Sequence, residues 1–360
     1  MNFNSLSSDA QQRLRAIGFT PQLQRAALAA GGDDDLTAWR VIEQQRSHWT
    51  VFDGTAQLDV PVTGGWADRI AVGDWLLARP RTDGSLELVT QIEPSSELTR
   101  ATGHGRQVLV RNVDLALLVM GLDHDFNPRR IERYLALAAG GGVAPLVVLT
   151  KRDLAADADA RFDRLRARLP GAVPIVAVDG TAAATAALLA PWLDAGTTAV
   201  LLGSSGAGKS TLTNTLAGMA VQATGAVRAD DSRGRHTTTV RTLRQLPTGA
   251  CVIDTPGLRA LSLAVDDDDL DAAFSDIALR AADCRFRDCT HDTEPGCAVR
   301  DAIDPDRLRN WRKLAREAQR QQAKDSADPN ALARFQSEQK SKWKAIHKSV
   351  RAFNKANRSG

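Results

Sequence analysis

The chain has 360 residues, 43% hydrophobic and 25% charged, which suits two or three globular domains with a large buried core. It contains no run of 18 apolar residues, and Met1-Asn2-Phe3-Asn4-Ser5 lacks a basic stretch leading into an apolar one, so neither a membrane span nor a signal peptide is expected. The net charge of +3 conceals an asymmetry: Asp306 to Gly360 carries 15 Lys and Arg against 5 Asp and Glu, and the rest carries 31 against 38. A basic tail on a mildly acidic body points to an anionic partner, most simply nucleic acid, with a solvated helical face as the alternative.

Residues 1–35 are polar and Ala-rich, end in Gly31-Gly32-Asp33-Asp34-Asp35, and predict one short helix and a linker. From Trp39 to about Glu97 short alternating runs are broken by turn signals: Trp49–Phe52, Leu58–Val62, Asp74–Arg79 and Leu86–Ile92. Four or five such strands predict a small antiparallel barrel, of the size that commonly grips oligonucleotides. Trp39, Trp49, Trp66 and Trp75 could stack on bases, but core packing is expected for most of them.

From about Asp114 continuous apolar strands alternate with helices. Strand Leu115–Met120 leads to a helix over Pro128–Ala139 with Ile131, Leu135 and Ala138 on one face. Then come strand Leu146–Leu149, a helix near 158–169, strand Pro174–Val178, a helix to Leu193 and strand Ala199–Leu202. Such alternation predicts an α/β fold with a parallel sheet, whose ligands sit beyond the carboxyl ends of the strands.

Three motifs fall at such ends. Gly203-Ser204-Ser205-Gly206-Ala207-Gly208-Lys209-Ser210-Thr211 lies between a strand and a helical pattern with the spacing of a phosphate-binding loop. Its glycines let backbone N–H groups turn inward on phosphate oxygens, Lys209 supplies a point charge, and Ser210 offers a hydroxyl to Mg²⁺. Thr150-Lys151-Arg152-Asp153 fits the pattern that selects guanine. The Asp153 carboxylate can accept from guanine N1–H and the 2-amino group, while the Lys151 stem lies along the base. Asp254-Thr255-Pro256-Gly257 fits D-x-x-G, with Asp254 reaching Mg²⁺ through water and the Gly257 N–H sensing a γ-phosphate. In Gly234-Arg235-His236-Thr237-Thr238-Thr239 one threonine, for which Thr238 is the candidate, is expected to close over Mg²⁺.

The motif order is permuted. The base-specificity motif precedes the phosphate loop, as happens when old termini are joined and the chain is cut elsewhere. An acidic helix near Asp266–Phe274 follows, then Cys284-x4-Cys289-x-His291-x5-Cys297. Three thiolates and one imidazole complete a tetrahedral structural Zn²⁺ site and leave no open position for catalysis. The fourth cysteine, Cys251, falls in an expected core strand. Leu308, Trp311, Leu314 and Ala318 make one helical stripe, and Trp343, Ile346, Val350 and Phe353 make another, to pack on the metal knob or lie on RNA.

These motifs, in this order and with both flanking domains, resemble the circularly permuted RsgA (YjeQ) family of small-ribosomal-subunit biogenesis GTPases. The resemblance covers about residues 36–300 and includes the loop Leu122-Asp123-His124-Asp125-Phe126-Asn127. It implies an OB-fold barrel at 36–97, a permuted GTPase domain at 98–262 and a helical zinc-binding domain at 263–320, flanked by an N-terminal extension at 1–35 and a basic helical tail at 321–360 that it does not reach. It further implies a cytoplasmic, membrane-free monomer that hydrolyses GTP to GDP with Mg²⁺. That monomer would bind the 30S subunit and its 16S rRNA late in maturation, be stimulated by it, and leave after hydrolysis. Thr150 stands where the family more often has Asn, a change expected to loosen the tie between base loop and phosphate loop. Asp179-Gly180 replaces the usual Ser-Ala, where only a backbone N–H is needed.

Hydrolysis requires an oriented water, and Leu258, directly after D-x-x-G, cannot orient one. Slow intrinsic turnover is therefore expected, with His236 the candidate catalytic residue once a partner moves it; a purely structural loop role is its alternative. His104 and His124 have no neighbouring partner that suggests a role. The competing functions are a GTP-gated RNA-binding switch acting on another RNA and a metal-delivery GTPase using the cysteine cluster.

Overall fold

The computed structural model describes residues 7–30, 35–62, 64–66, 69–102, 105–218, 241–254, 267–326, 328 and 334. The N-terminal segment holds two helices where one was expected, α1 (Ser8–Ala16) and α2 (Pro21–Ala29). Ser7 and Thr20 cap them by accepting from the N–H groups of Ala10 and Leu23. Leu14, Ile17, Phe19, Leu23 and Ala27 are buried in the main core, so this segment is structural and not a linker.

Five strands follow: β1 (Thr37–Gln44), β2 (His48–Phe52), β3 (Gln57–Pro61), β4 (Trp75–Pro80) and β5 (Leu86–Gln91). They pair antiparallel in the order β3-β2-β1-β4-β5, with a register shift against β2 between Val41 and Glu43 of β1, which has β12 as a third partner. Their inward side chains, Trp39, Val41, Trp49, Val51, Val60, Leu76 and Ala78, form a separate core with Ile70 from the segment before β4. Trp49 is fully buried and Trp39 nearly so in this barrel core, as expected, whereas Trp75 is fully buried in the main core instead. Trp66 is half-buried, with the Arg69 guanidinium 5.7 Å from its ring. Trp75 faces away from that core and meets Phe19 edge-on at 4.8 Å.

A hairpin of β6 (Glu97–Thr102) and β7 (Gly105–Arg111) intervenes. Its mixed polar sequence hid it from the pattern of apolar runs. Then β8 (Leu115–Gly121), α3 (Pro128–Gly140), β9 (Ala144–Thr150), α4 (Ala158–Arg166), β10 (Ile175–Ala177), α5 (Ala184–Leu189), β11 (Thr198–Leu202) and α6 (Lys209–Ala217) alternate as expected. β12 (Thr242–Gln245) and β13 (Cys251–Asp254) complete the sheet. The order is β10-β9-β8-β11-β13, all parallel, with β12 antiparallel at its edge.

Strand alternation sorts this sheet into two faces. Ala116, Leu118 and Met120 of β8 join the core under α3 and α4, whereas Leu115, Leu117 and Val119 join the one under α5 and α6. Each fully buried leucine or valine contributes about 2 kcal/mol through removal from water. The two sheets are continuous: Glu43 of β1 pairs with Thr242 of β12. Buried Arg40 reinforces this junction, donating to the Ile17 carbonyl and, at 3.0 Å, to that of Asn112.

The chain ends in α7 (Asp267–Ala273), α8 (Ser275–Ala281), the cysteine loop and α9 (Pro305–Asp325). The acidic helix and the Leu308, Trp311, Leu314, Ala318 stripe lie as the sequence predicts, with α9 running unbroken through residue 320. Asp304 caps α9 by accepting from the N–H groups of Asp306 and Arg307. The second tail stripe, from Trp343 to Phe353, lies outside the described residues.

Candidate functional site

Parallel pairing brings the carboxyl ends of β8, β9, β10, β11 and β13 to one edge, and each ends in a motif singled out above. The phosphate loop bends through Gly206 (φ +81°) and Gly208 (φ +93°) into the first turn of α6. A Cβ at Gly208 would lie 3.1 Å from Thr150 Oγ1, in a conformation that side chains rarely adopt, so glycine is required there. A Cβ at Gly203 would lie 2.4 Å from the Val119 carbonyl, so β11 and β8 approach too closely for any other residue. Ser205 and Gly206 form the exposed crest, Ala207 is buried, and Ser210 and Thr211 stand in the first helical turn, half-buried.

The base-specificity loop is bolted to the phosphate loop. Thr150 is 1% exposed, and its hydroxyl donates to the Ala207 carbonyl at 2.6 Å. The tie that threonine is expected to loosen is made: the shorter side chain reaches, because β9 delivers it directly beneath the loop. Lys151 adopts a left-handed backbone (φ +61°), and its Nζ donates to the Gly206 carbonyl at 2.7 Å and to Asp123 at 2.8 Å. Its stem thus runs along the edge of the site. Asp153 is exposed in the following turn. Asp179 closes its own turn by accepting from the N–H and hydroxyl of Thr181, and Thr215 of α6 donates to the Gly180 carbonyl at 2.6 Å.

The loop after β8, to which no residue role had been given, is the third support. Ser204 donates to Asp125 at 2.6 Å, Arg130 donates to Ser204 Oγ at 2.7 Å, and Arg130 also pairs with Asp125. Against a desolvation that opposes it, hydrogen bonds from Lys151 and the Asp125 N–H hold the Asp123 carboxyl below its usual range. His124 is exposed, its Nδ1 3.3 Å from Asp123.

Lys209 turns back on its own loop, donating to the carbonyls of Gly203 and Ser204 at 2.7 Å each. Burial pushes its pKa down, while the carboxylates of Asp254 and Asp125 oppose that shift. Asp254 closes β13 beside β11 and pairs in register with Thr242. Gly257, Leu258, His236, Thr238 and His104 lie outside the described residues.

Further along the chain, the ligand atoms of Cys284, Cys289, His291 and Cys297 all fall within 4.8 Å of one another. His291 is buried, with Nδ1 3.5 Å from both Cys284 Sγ and Cys297 Sγ. Desolvation holds the imidazole below its ordinary pKa and hence neutral, the form that ligates metal. Desolvation, then hydrogen bonding with Cys297 and Cys284, pushes the Cys289 thiol up to about 11. Against its desolvation, backbone N–H groups and then the neighbouring thiols shift Cys297 the other way, and three sulfurs with one neutral imidazole form a donor set that fits a divalent metal. Glu294 tightens the loop, accepting from the N–H groups of Thr290, Asp292 and Thr293 and from the Thr290 hydroxyl.

Helix α3 joins the two centres. Arg130 faces the phosphate loop, whereas Arg129, Glu132 and Arg133 grip α9. Glu132 is fully buried and fully used: Arg168 and Arg307 donate to it at 2.9 and 2.8 Å, and Asn310 donates at 2.5 Å. Arg307 also pairs with Asp276 at 2.6 Å and lies 4.6 Å from the Phe274 ring. No sequence pattern signals this network, because Glu132 and Arg307 come from distant segments.

A phosphate loop and a guanine-type motif on one parallel sheet, met in reversed chain order, define a circularly permuted GTPase. Comparison with known proteins agrees. The RsgA GTPase family model matches residues 92–264. The small ribosomal subunit biogenesis GTPase RsgA of Xylella fastidiosa (strain 9a5c) is 47% identical over 309 residues, 82% of this chain and 88% of that protein. Its counterpart in Xanthomonas oryzae pv. oryzae (strain MAFF 311018) is 46% identical over 294 residues, 76% and 79% of the two chains. The crystal structure of YjeQ from Thermotoga maritima superposes with a TM-score of 0.60 at 25% identity, covering 79% of this chain and 98% of that one. YloQ, a circularly permuted GTPase, gives 0.58 at 20% identity, covering 80% and 96%. The chain belongs to the RsgA family of GTPases.

Proposed function

We propose that this GTPase acts on the small ribosomal subunit late in its maturation, binding the 30S particle through its 16S rRNA and leaving after hydrolysis. The relatives' names carry the subunit assignment. What supports the nucleotide chemistry is the Thr150–Ala207 hydrogen bond, which fixes the base loop and phosphate loop as one unit. In this proposal Thr150, Lys151 and Asp153 select guanine, and Gly203 to Thr211 cradle the phosphates. Lys209 exchanges two loop carbonyls for phosphate oxygens, while burial keeps its charge poorly solvated until that partner arrives. Ser210, Thr238 and, through water, Asp254 would hold Mg²⁺, which neutralises charge on the β- and γ-phosphates when bound. Gly257 senses the γ-phosphate, and His236 orients the attacking water once the ribosome places it.

One structural Zn²⁺ on Cys284, Cys289, His291 and Cys297 would hold the C-terminal knob together. Strands β1–β5, antiparallel in the order β3-β2-β1-β4-β5, are proposed here to form the OB-fold barrel and to meet rRNA. We assign the extension, barrel, GTPase domain, zinc domain and tail to 1–35, 36–97, 98–262, 263–320 and 321–360, in a monomer working in the cytoplasm. Among the described residues no helix is long and apolar enough to cross a membrane.

The test is steady-state GTP hydrolysis by the purified protein alone, with 30S and with 50S subunits. Stimulation by 30S alone is expected; stimulation by neither would remove the small-subunit assignment. His236→Ala should abolish the stimulated rate, and an unchanged rate would show that another residue orients the water.

A further inference from the structure

Helix α9 is sorted by charge. Its acids turn toward the body: Asp306 to Arg129 and Arg168, Glu317 to Arg133, and Asp325 to Arg106. Leu308, Leu314, Ala318 and Gln321 are buried along the same side. Outward stand Arg309, Lys313, Arg316, Arg320 and Lys324, all exposed. Spaced by four, three, four and four residues, they fall within an arc of roughly 80° and span roughly 22 Å of helix. Among the described residues only Arg309 of this row is ion-paired, with Asp306 at 3.4 Å.

Five like charges on one line repel each other, and a solvated helix gains nothing by tying its acids to the body while the row stays largely uncompensated. A polyanion with regularly spaced charges compensates the whole row at once. The row contains no aromatic side chain, since Trp311 turns inward to the His291 ring at 5.4 Å. It therefore has no platform on which bases could stack, and it suits a double-stranded backbone better than a single strand.

We infer that the outer face of α9 is a docking surface for the phosphate backbone of duplex RNA, contacted without regard to sequence. This rests on the proposed rRNA partnership and gives it a location outside both the barrel and the GTP site.

The test uses the full chain and a labelled RNA duplex of about 20 base pairs, with binding followed by anisotropy across a salt series. The variant Lys313→Gln/Arg316→Gln/Arg320→Gln is compared with Arg25→Gln/Arg164→Gln/Arg280→Gln, which removes the same charge from exposed sites elsewhere. The stripe variant should bind at least about tenfold more weakly near 0.1 M salt, and its log–log salt slope should shrink by about three, one per lost contact. The control should keep the wild-type slope, and both variants should keep the wild-type unfolding midpoint. Equal losses in both variants would overturn the inference by reducing it to net charge. So would a stripe variant whose loss on a single strand is as large as its loss on the duplex. A wild-type slope retained in the stripe variant would also overturn it, yet leave 30S-stimulated hydrolysis untouched. Loss of that stimulation in the wild type would instead strike the proposed function.

Discussion

The central sheet and the C-terminal knob with α9 share one apolar core but differ in what they add to it. In the sheet, β8, β9, β11 and β13 are buried on both faces by aliphatic side chains, and polar contacts gather at one edge, where the phosphate loop sits. The knob and α9 bury Val299, Leu308, Leu314 and Ala318, and add four metal-type ligands, a carboxylate-stapled loop and a buried network of guanidinium groups around Glu132. Apolar burial is tolerant, because many small contacts share the work. A buried ionic network is not, because removing one member strands the others without water or partner.

The largest expected effect tests the sheet's edge. Lys209→Ala should lower GTP turnover by about 100-fold or more while the unfolding transition barely moves, since the lost charge serves phosphate and not the core. Equal loss of stability and turnover would make Lys209 part of the scaffold.

Glu132→Ala tests the other region. It leaves Arg168, Arg307 and Asn310 without their shared acceptor and should cost about 3–5 kcal/mol in urea unfolding, with α9 becoming sensitive to protease first. A cost below about 1 kcal/mol would show that α9 is held by its apolar stripe instead.

Thr150→Val probes the tie at the sheet's edge. It preserves shape, strands the buried Ala207 carbonyl and should cost about 1–2 kcal/mol, with GTP binding weakened in parallel. Thr150→Asn should keep both, because its amide can donate to the same carbonyl.

The smallest effect concerns pH. First the Thr290 hydroxyl, then backbone N–H groups, lower the Glu294 carboxyl to about 2 from its ordinary 4.5. A carboxyl depressed on folding stabilises fully above its unfolded pKa and loses that contribution as pH falls through the folded one. The Cys289–Cys297 loop should therefore lose this support between about pH 4.5 and 2, and Glu294→Gln should remove the dependence. Solvent screening keeps the effect below about 1 kcal/mol. A pH titration of Trp311 fluorescence, beside His291, reads it; an unchanged profile in the variant would assign the acid sensitivity to the thiol and imidazole ligands.

What the sequence determined by itself was whatever its spacing encodes locally. Strand periodicity, the nine-residue phosphate loop, Thr150 to Asp153, and four ligands within fourteen positions can be recognised without the rest of the chain, because each works through neighbours a few residues away. The permuted order was equally legible, being a matter of sequence alone. Only the tertiary structure decided how the pieces join. It put α1 and α2 into the core, paired Glu43 with Thr242 across the two sheets, and let Thr150 reach Ala207. It also turned the acids of α9 inward and left its bases facing out. The physical reason is range. A charge or hydroxyl takes its meaning from the partner that folding places beside it, and for Glu132 and Arg307 that partner lies 175 residues away.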